Sequence, residues 1–138
     1  MKEILFVCSG NVGRSQMAEG YYNHLTQTHN AISAGVDPKT PTKYPRLPDY
    51  ICGIMAEEGI DVSHQQVKLI REHMVREAGE IFVMCSQESC PDYLVQSDKV
   101  TYWQIEDPFE ANNDNLRKIR NQIKEKIQFM LGTLGNNI

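Results

Sequence analysis

The 138-residue sequence lacks long hydrophobic runs. The longest, Ile4 to Cys8 and Ile81 to Cys85, have five residues each. About 20 apolar residues are needed to cross a bilayer, so we expect no membrane association. The N-terminus enters a strand-like run directly after Met-Lys-Glu and shows no secretory leader with a cleavage site. We therefore expect a cytoplasmic protein.

Positive charge and cysteine are also scarce. The chain has 14 Lys and Arg against 18 Asp and Glu, a net charge of −4. Without an excess of positive charge it cannot neutralise a phosphate backbone, and we expect no nucleic-acid binding. The four cysteines, at positions 8, 52, 85 and 90, are too few and too irregularly spaced for a secreted disulfide scaffold. Burial or thiol chemistry must explain them.

Strand-like and helix-like segments alternate along the chain. The predicted strands are Ile4 to Cys8, Ala31 to Val36, Glu80 to Cys85 and Val100 to Ile105. The predicted helices are Ser15 to His24, Asp49 to Glu58, Val67 to Glu77 and about Asn112 to Leu134. This alternation predicts one α/β domain over residues 1–138, a three-layer α/β/α sandwich with a four-stranded parallel sheet.

Residues 8–15, between the first strand and the first helix, fit the pattern C-x5-R-S. The helix start aims free N–H groups and the positive end of its dipole at the loop, and Gly10 and Gly13 let the loop curl around an oxyanion. Arg14 can clamp two oxygens. The same field stabilises a thiolate at Cys8, the nucleophilic form of cysteine. The predicted oxyanion-binding loop comprises Ser9, Gly10, Asn11, Val12, Gly13, Arg14 and Ser15.

The alternative for this segment is an ordinary glycine-rich turn with a buried cysteine. That interpretation leaves both the cysteine at the strand end and the Arg-Ser at the helix start unexplained. We therefore favour the oxyanion loop.

Two further side chains are expected beside this loop, because ligands of parallel sheets bind beyond the carboxyl ends of the strands. Cys85 ends the third predicted strand, and Asp107 lies two residues past the fourth. Asp107 could protonate a leaving oxygen and then activate water. Glu106 is its neighbouring competitor, and an isolated Asp-Pro is most often a turn or a cap.

Cys85 and Cys90 could be core fillers, a metal pair or a redox pair. Their spacing and the scattered histidines argue against zinc. Core burial suits Cys85 as well as redox chemistry does, whereas Cys90 has polar neighbours. If the chain between them were helical, their Cα atoms would lie about 7.5 Å apart along the axis, beyond the limit for a disulfide. We expect the reduced thiols to lie apart, and to bridge only after residues 86–93 rearrange.

As a set, these motifs resemble the low-molecular-weight protein tyrosine phosphatase superfamily, which includes the thioredoxin-coupled arsenate reductases. The resemblance covers nearly the whole chain: the loop at 8–15, Ser33-Ala34-Gly35 after the second strand, and Asp107-Pro108 before the last helix. It implies a nucleophile at Cys8, an oxyanion clamp at Arg14, loop ordering by Asn11 and Ser15, and an acid at Asp107.

Within the superfamily, residues 14–20 and 59–63 are more similar to the reductases. Cys85 and Cys90 fall in the region of the reductases' redox cysteines, so the resemblance implies a relay to thioredoxin. By the same analogy, Asn11, Glu19, Ser33 and Asp61 match residues that hold a potassium ion in some reductases; no other cofactor is implied. The chain departs from the superfamily at Gly13, which stands where a second loop cysteine is usual, and in the shorter interval between Cys85 and Cys90.

Three hypotheses follow. The first is an arsenate reductase that uses Cys8, Cys85 and Cys90 in sequence and passes the oxidation to thioredoxin. The second is a phosphatase acting on a phosphorylated protein through a Cys8 phosphoenzyme, with Asp107 as acid. The third is a phosphate-binding module without catalysis, which would need neither Cys8 nor Asp107.

Overall fold

A computed structural model describes residues 3–108 and 111–132. Its elements are β1 (Ile4–Cys8), α1 (Arg14–Thr26), β2 (Ala31–Gly35), α2 (Asp49–Ala56), α3 (Glu72–Glu77), β3 (Glu80–Val83), a 3-10 turn (Gln87–Ser89), α4 (Asp92–Val95), β4 (Val100–Tyr102) and α5 (Asn113–Met130). None of the helices in these ranges has the length and apolar character needed to span a membrane.

The four strands form one parallel sheet in the order β2-β1-β3-β4. Strand β1 lies inside the sheet, and all five of its residues are buried. A continuous apolar run is typical of a strand covered on both faces. The predicted four-stranded parallel sheet is confirmed, and its carboxyl edge carries Cys8, opposite Gly35 of β2.

Helices cover both faces of the sheet. Alternate side chains of β1 point to opposite faces. Ile4, Phe6 and Cys8 belong to a core that α1, α2 and α5 complete. Leu5 and Val7 belong to a second core that includes residues of α3 and α4. The predicted three-layer architecture is therefore confirmed.

Element ends differ from prediction most clearly before α3. The predicted helix at 67–77 begins only at Glu72, because the residues before it extend along the end of β2. The N–H of Gly35 donates to the carbonyl of Lys68, and the N–H of Ile70 donates to the carbonyl of Gly35, both at 2.8 Å. These bonds satisfy the backbone of Gly35, which a helix at 67–71 would leave unpaired.

The last helix begins as predicted. The side chain of Asn112 caps α5 by accepting from the N–H of Asn115 at 2.8 Å. Buried residues of α5 recur every three or four positions, which packs one face of the helix on the sheet. The predicted end at Leu134 lies outside the described residues.

Candidate active site

Cys8 ends β1 and begins the loop that leads into α1. Its Sγ lies 2.9 Å from Oγ of Ser15. Nδ2 of Asn11 donates to Oγ of Ser15 at 2.8 Å and to Oγ of Ser33 at 2.9 Å. In the contact between Cys8 and Ser15 either group can be the donor. A thiolate at Cys8 can only accept, and Ser15 would then be the donor of this hydrogen bond.

Asn11 holds the loop in its curled form. Its Oδ1 accepts from the backbone N–H of Lys68 at 2.8 Å and from Nε2 of Gln16 at 2.9 Å. A backbone N–H can only donate, which fixes the orientation of the amide. Asn11 is fully buried, and its backbone adopts the left-handed conformation, with a φ of 57°. The loop therefore obtains its left-handed residue from Asn11, and not from the glycines at 10 and 13 that the sequence suggested.

Gly35 of β2 lies directly against the loop. A Cβ at this position would lie 2.8 Å from the carbonyl oxygen of Ser9 and 2.9 Å from the backbone nitrogen of Asn11. These are backbone atoms that no rotamer change can move. Only glycine permits this approach. Family resemblance singled out Gly35, but the contact that explains it joins residues far apart in the sequence.

Arg14, at the start of α1, spans the carboxyl edge of the sheet. Its Nη1 donates to the carbonyl of Met84 and, at 3.1 Å, to that of Ile105. Its Nη2 lies 3.7 Å from Oδ2 of Asp107. Because both hydrogens of Nη1 serve carbonyls, the guanidinium edge formed by Nε and Nη2 is the one that can bind two oxygens of an anion.

A cleft of about 510 Å³ opens above the loop, and Cys8, Arg14 and Asp107 all line it. Ser9, Gly10, Val12 and Gly13 line it too, whereas Asn11 and Ser15 are buried behind the loop. The outer wall holds aromatic, aliphatic and cationic side chains: Tyr44, Leu47, Tyr50, Lys39, Lys43 and Arg46. This volume falls in the range of sites for organic ligands, larger than one tetrahedral oxyanion needs.

The structure brings Asp107 to the cleft with Arg14. The side chain of Asp107 is 63% exposed, and the following Pro108 is buried. Glu106 is exposed as well, but the ion pair with Arg14 belongs to Asp107. The geometry therefore suits Asp107 for proton transfer at the loop, and the catalytic roles of Cys8, Arg14 and Asp107 stay predictions.

Cys85 and Cys90 are unbridged free thiols that lie close enough to influence each other electrostatically. The segment between them is not a continuous helix: Ser86 is extended, Gln87–Ser89 form one 3-10 turn, and Cys90 is extended again. This turn carries the chain back toward the strand end. The assumption of a helix through residues 86–90, from which the separation of the reduced thiols was predicted, is wrong.

The two thiols of this pair differ in acidity. Burial raises the pKa of Cys85 to about 12, the nearby sulfurs of Cys90 and Cys8 add to the rise, and Arg14 opposes it. Burial also raises the pKa of Cys90, although its interaction with Cys85 opposes the rise. Sγ of Cys90 donates to the carbonyl of Ser86 at 3.5 Å. The influence of Cys8 on Cys85 places three sulfurs at one edge of the sheet.

Of the four residues predicted to hold potassium, Glu19 and Asp61 line one cleft, and Asn11 and Ser33 are buried and hydrogen-bonded to each other. Oδ1 of Asn11 already accepts two N–H groups, and Oδ1 of Asp61 accepts from the backbone and hydroxyl of Ser63. Glu19 accepts from the hydroxyl of Ser33 at 2.7 Å and has the ammonium of Lys68 at 4.0 Å. The described residues include no cluster of three or more His, Cys, Asp or Glu suited to a metal. The potassium ion stays a prediction that these contacts do not fit.

Several residues that build the site carried no signal in the sequence pattern. Gln16 is fully buried and donates to the carbonyls of Asn11 and Gln66. Lys68 supplies its backbone N–H to Asn11. Ser33, predicted only as a potassium ligand, instead links Asn11 to Glu19.

Known proteins with this sequence pattern and fold include both reductases and phosphatases. An arsenate reductase of Staphylococcus xylosus is 32% identical over 130 residues, 92% of this chain and 94% of its own. A structure described as an arsenate reductase in the phosphate binding state is 28% identical, with a TM-score of 0.79 over 96% of this chain and 98% of its own. A low molecular weight protein tyrosine phosphatase from T. tengcongensis is 25% identical, with a TM-score of 0.77 over 95% and 98%.

The family model for low molecular weight phosphotyrosine protein phosphatases matches residues 3–138, nearly the whole chain. Members of this family are cysteine-dependent enzymes, as the loop at the end of β1 suggests. By that match, and by its identity with the staphylococcal relative, this chain belongs to the low molecular weight phosphotyrosine protein phosphatase family.

Proposed function

We propose that the protein reduces arsenate to arsenite, with Cys8 as nucleophile and with Cys85 and Cys90 as a redox relay. The observation that carries this proposal is the pair of free thiols, Cys85 and Cys90, which pack against the same core at the sheet edge that also holds Cys8. Phosphoryl transfer through a single cysteine needs no such pair. The similarity to relatives that are arsenate reductases supports the same conclusion.

The first step forms a bond between Cys8 and arsenic. The loop amides and Arg14 hold the oxygens of arsenate while the thiolate of Cys8 attacks the arsenic. One arsenic–oxygen bond breaks, and the departing oxygen takes a proton from Asp107 and leaves as water. Arsenic is still As(V) at this stage, since the sulfur has replaced one oxygen.

The second step transfers two electrons. Cys85, as a thiolate, attacks the sulfur of Cys8; the pair of electrons in the sulfur–arsenic bond stays on arsenic, which leaves as arsenite, As(III). The product is a Cys8–Cys85 disulfide. Cys90 then attacks the sulfur of Cys85, which frees the thiolate of Cys8 and forms a Cys85–Cys90 disulfide. A dithiol protein of the thioredoxin class reduces that disulfide, as expected in the reducing cytoplasm.

A single-turnover experiment tests this proposal. Reduced protein is mixed with arsenate in the absence of any donor, and arsenite and disulfides are measured. One arsenite per protein and a Cys85–Cys90 bridge in peptide mapping are expected, with Cys52→Ser as a matched control that changes neither. Failure of the wild-type protein to release arsenite would contradict the proposal.

The size and wall of the cleft favour a second candidate, hydrolysis of an organic phosphate monoester. A volume of about 510 Å³ with Tyr44 and Tyr50 in the wall suits an aryl group attached to the phosphate. Cys8 would form a phosphoenzyme, and Asp107 would act as acid and then as base. A phosphorylated protein is the expected substrate class.

Cys90→Ser distinguishes the two activities. On the reductase proposal it blocks repeated arsenate turnover and leaves hydrolysis of p-nitrophenyl phosphate unchanged. If the Cys85–Cys90 bridge never forms in the wild type while Cys90→Ser retains full hydrolysis, the phosphatase proposal replaces the reductase proposal. A protein that binds phosphate but turns over neither substrate would be the third alternative, a binding module.

A further inference from the structure

Gly13, the residue before α1, has no room for a side chain. A Cβ there would lie 2.9 Å from Cγ and 3.6 Å from Cδ of Pro108, and 3.8 Å from Cδ1 of Ile51. The first distance is well below the optimal separation of two carbon atoms. Because Pro108 is buried, its ring fills the space that a side chain at position 13 would occupy.

The segment that carries Asp107 is attached to the start of α1 at three points. The carbonyl of Ile105 accepts from Arg14 at 3.1 Å, the carboxylate of Asp107 lies 3.7 Å from the same guanidinium, and the ring of Pro108 rests on Gly13. On the side of α1, these contacts involve Gly13 and Arg14. The first residues of α1 therefore set where Asp107 lies.

The ion pair alone is a weak restraint on Asp107. The carboxylate is 63% exposed, and ion pairs with an exposed partner contribute little. Pro108 follows Asp107 directly and has a fixed φ and a rigid ring. Packing of this ring against Gly13 therefore restrains the position of the carboxylate more than the charge does.

We propose that Gly13 is a positioning residue: by lacking a side chain it seats Pro108, and it thereby holds Asp107 within reach of the leaving oxygen. This inference rests on the proposed function. The position of Asp107 matters because Asp107 protonates the leaving oxygen while the bond between that oxygen and arsenic or phosphorus breaks. It also gives a physical role to the position at which this chain departs from the cysteine usual in its superfamily.

The test compares Gly13→Ala, Pro108→Ala and the double variant. Pro108→Ala removes Cγ, the atom that the new methyl group would strike, so the double variant should behave like Pro108→Ala alone. Gly53→Ala is the matched control, because a Cβ at Gly53 of α2 meets no atom within 4 Å.

The kinetic reading uses two aryl phosphates that differ in leaving group. In Gly13→Ala we expect kcat for phenyl phosphate, which needs a proton on its leaving oxygen, to fall about 10²-fold, because a misplacement of about 1 Å can cost that much. Any loss in turnover of 2,4-dinitrophenyl phosphate or in inhibition by inorganic phosphate, which use the loop but not the acid, should be at least about tenfold smaller than the loss with phenyl phosphate. If the protein turns over arsenate but not aryl phosphates, the single-turnover rate of arsenite formation is measured in place of kcat for phenyl phosphate.

Unfolding in urea separates this inference from the proposed function, because it needs no turnover. Gly13→Ala should lower the unfolding midpoint of the wild type and leave that of Pro108→Ala nearly unchanged. Equal midpoint shifts in both backgrounds, or equal losses with both esters, would overturn the role of Gly13 alone. A wild type that turns over neither arsenate nor aryl phosphate overturns the proposed function and this inference with it.

Discussion

The loop at residues 8–15 and the segment at residues 85–90 lie at the same sheet edge but are held in opposite ways. Asn11 and Ser15 in the loop are fully buried and hydrogen-bonded to each other, and the side chain of Asn11 is also bonded to Ser33 and Lys68, which are distant in the sequence. Residues 86–89 are exposed, and their hydrogen bonds are local, from Glu88 and Ser89 to Ser86.

This difference predicts which region can move. A shift of the loop would leave buried polar groups without hydrogen-bond partners, which costs about 1–3 kcal/mol for each group. Within the described residues, no buried side-chain nitrogen or oxygen lacks a partner. Opening of the segment at residues 85–90 only replaces its local hydrogen bonds with hydrogen bonds to water. A rigid loop suits preorganised anion binding. A segment that opens at a low free-energy cost suits a thiol that must exchange disulfide partners.

The largest expected effect comes from removing one sulfur in each region. Cys8→Ser should lower arsenite formation at least about 10⁴-fold, because no other group replaces the nucleophile. Cys90→Ser should still release one arsenite per protein and stop as a Cys8–Cys85 disulfide. Quantifying arsenite and mapping disulfides by mass spectrometry checks both variants. Arsenite formation by Cys8→Ser at the wild-type rate would refute the assignment of Cys8.

A change at the acid should affect chemistry without affecting the loop. Asp107→Asn should lower turnover of phenyl phosphate and arsenate by about 10²–10⁴-fold, because proton transfer to the leaving oxygen is lost. Inhibition by inorganic phosphate should hardly change. Steady-state kinetics with Glu106→Gln as the control measures this effect. A larger loss in Glu106→Gln would mean that the other carboxylate is the acid.

A pair of alanine variants compares the rigidity of the two regions directly. Asn11→Ala leaves the partners of its buried amide unsatisfied and should cost about 2–4 kcal/mol in the free energy of unfolding. Ser89→Ala, in the exposed turn, should change it by less than about 0.5 kcal/mol. Urea denaturation measures both. Comparable losses would show that the segment is as firmly held as the loop.

The raised pKa of Cys85 predicts a pH dependence for the relay. Because the pKa of about 12 lies above the working pH, Cys85 is mostly protonated, and its thiolate fraction should rise about tenfold per pH unit between pH 7 and 9. The rate of the Cys8–Cys85 disulfide step should rise in proportion. Rapid-quench measurement in Cys90→Ser, which stops at this disulfide, isolates the step. A flat profile would show that Cys85 does not attack as a free thiolate.

Much of this protein follows from its sequence by local rules. Apolar runs and the alternation of strands and helices predict the parallel sheet, because strand burial and helix periodicity are properties of short segments. Cys8 and Asp107 could be placed at one edge since parallel strands end together. The spacing from Cys8 to Arg14 predicts an anion loop because the loop and the helix start are contiguous in the chain.

Only the tertiary structure decided the contacts that hold these parts. The left-handed Asn11, the close approach of Gly35, the extended residues before α3 and the ring of Pro108 on Gly13 all depend on segments distant in sequence. The return of Cys90 toward Cys85 is also a tertiary outcome, because helix propensity over five residues is too weak to oppose packing at the sheet edge. These contacts are determined by long-range packing and by the need to pair buried polar groups, neither of which a local sequence pattern contains.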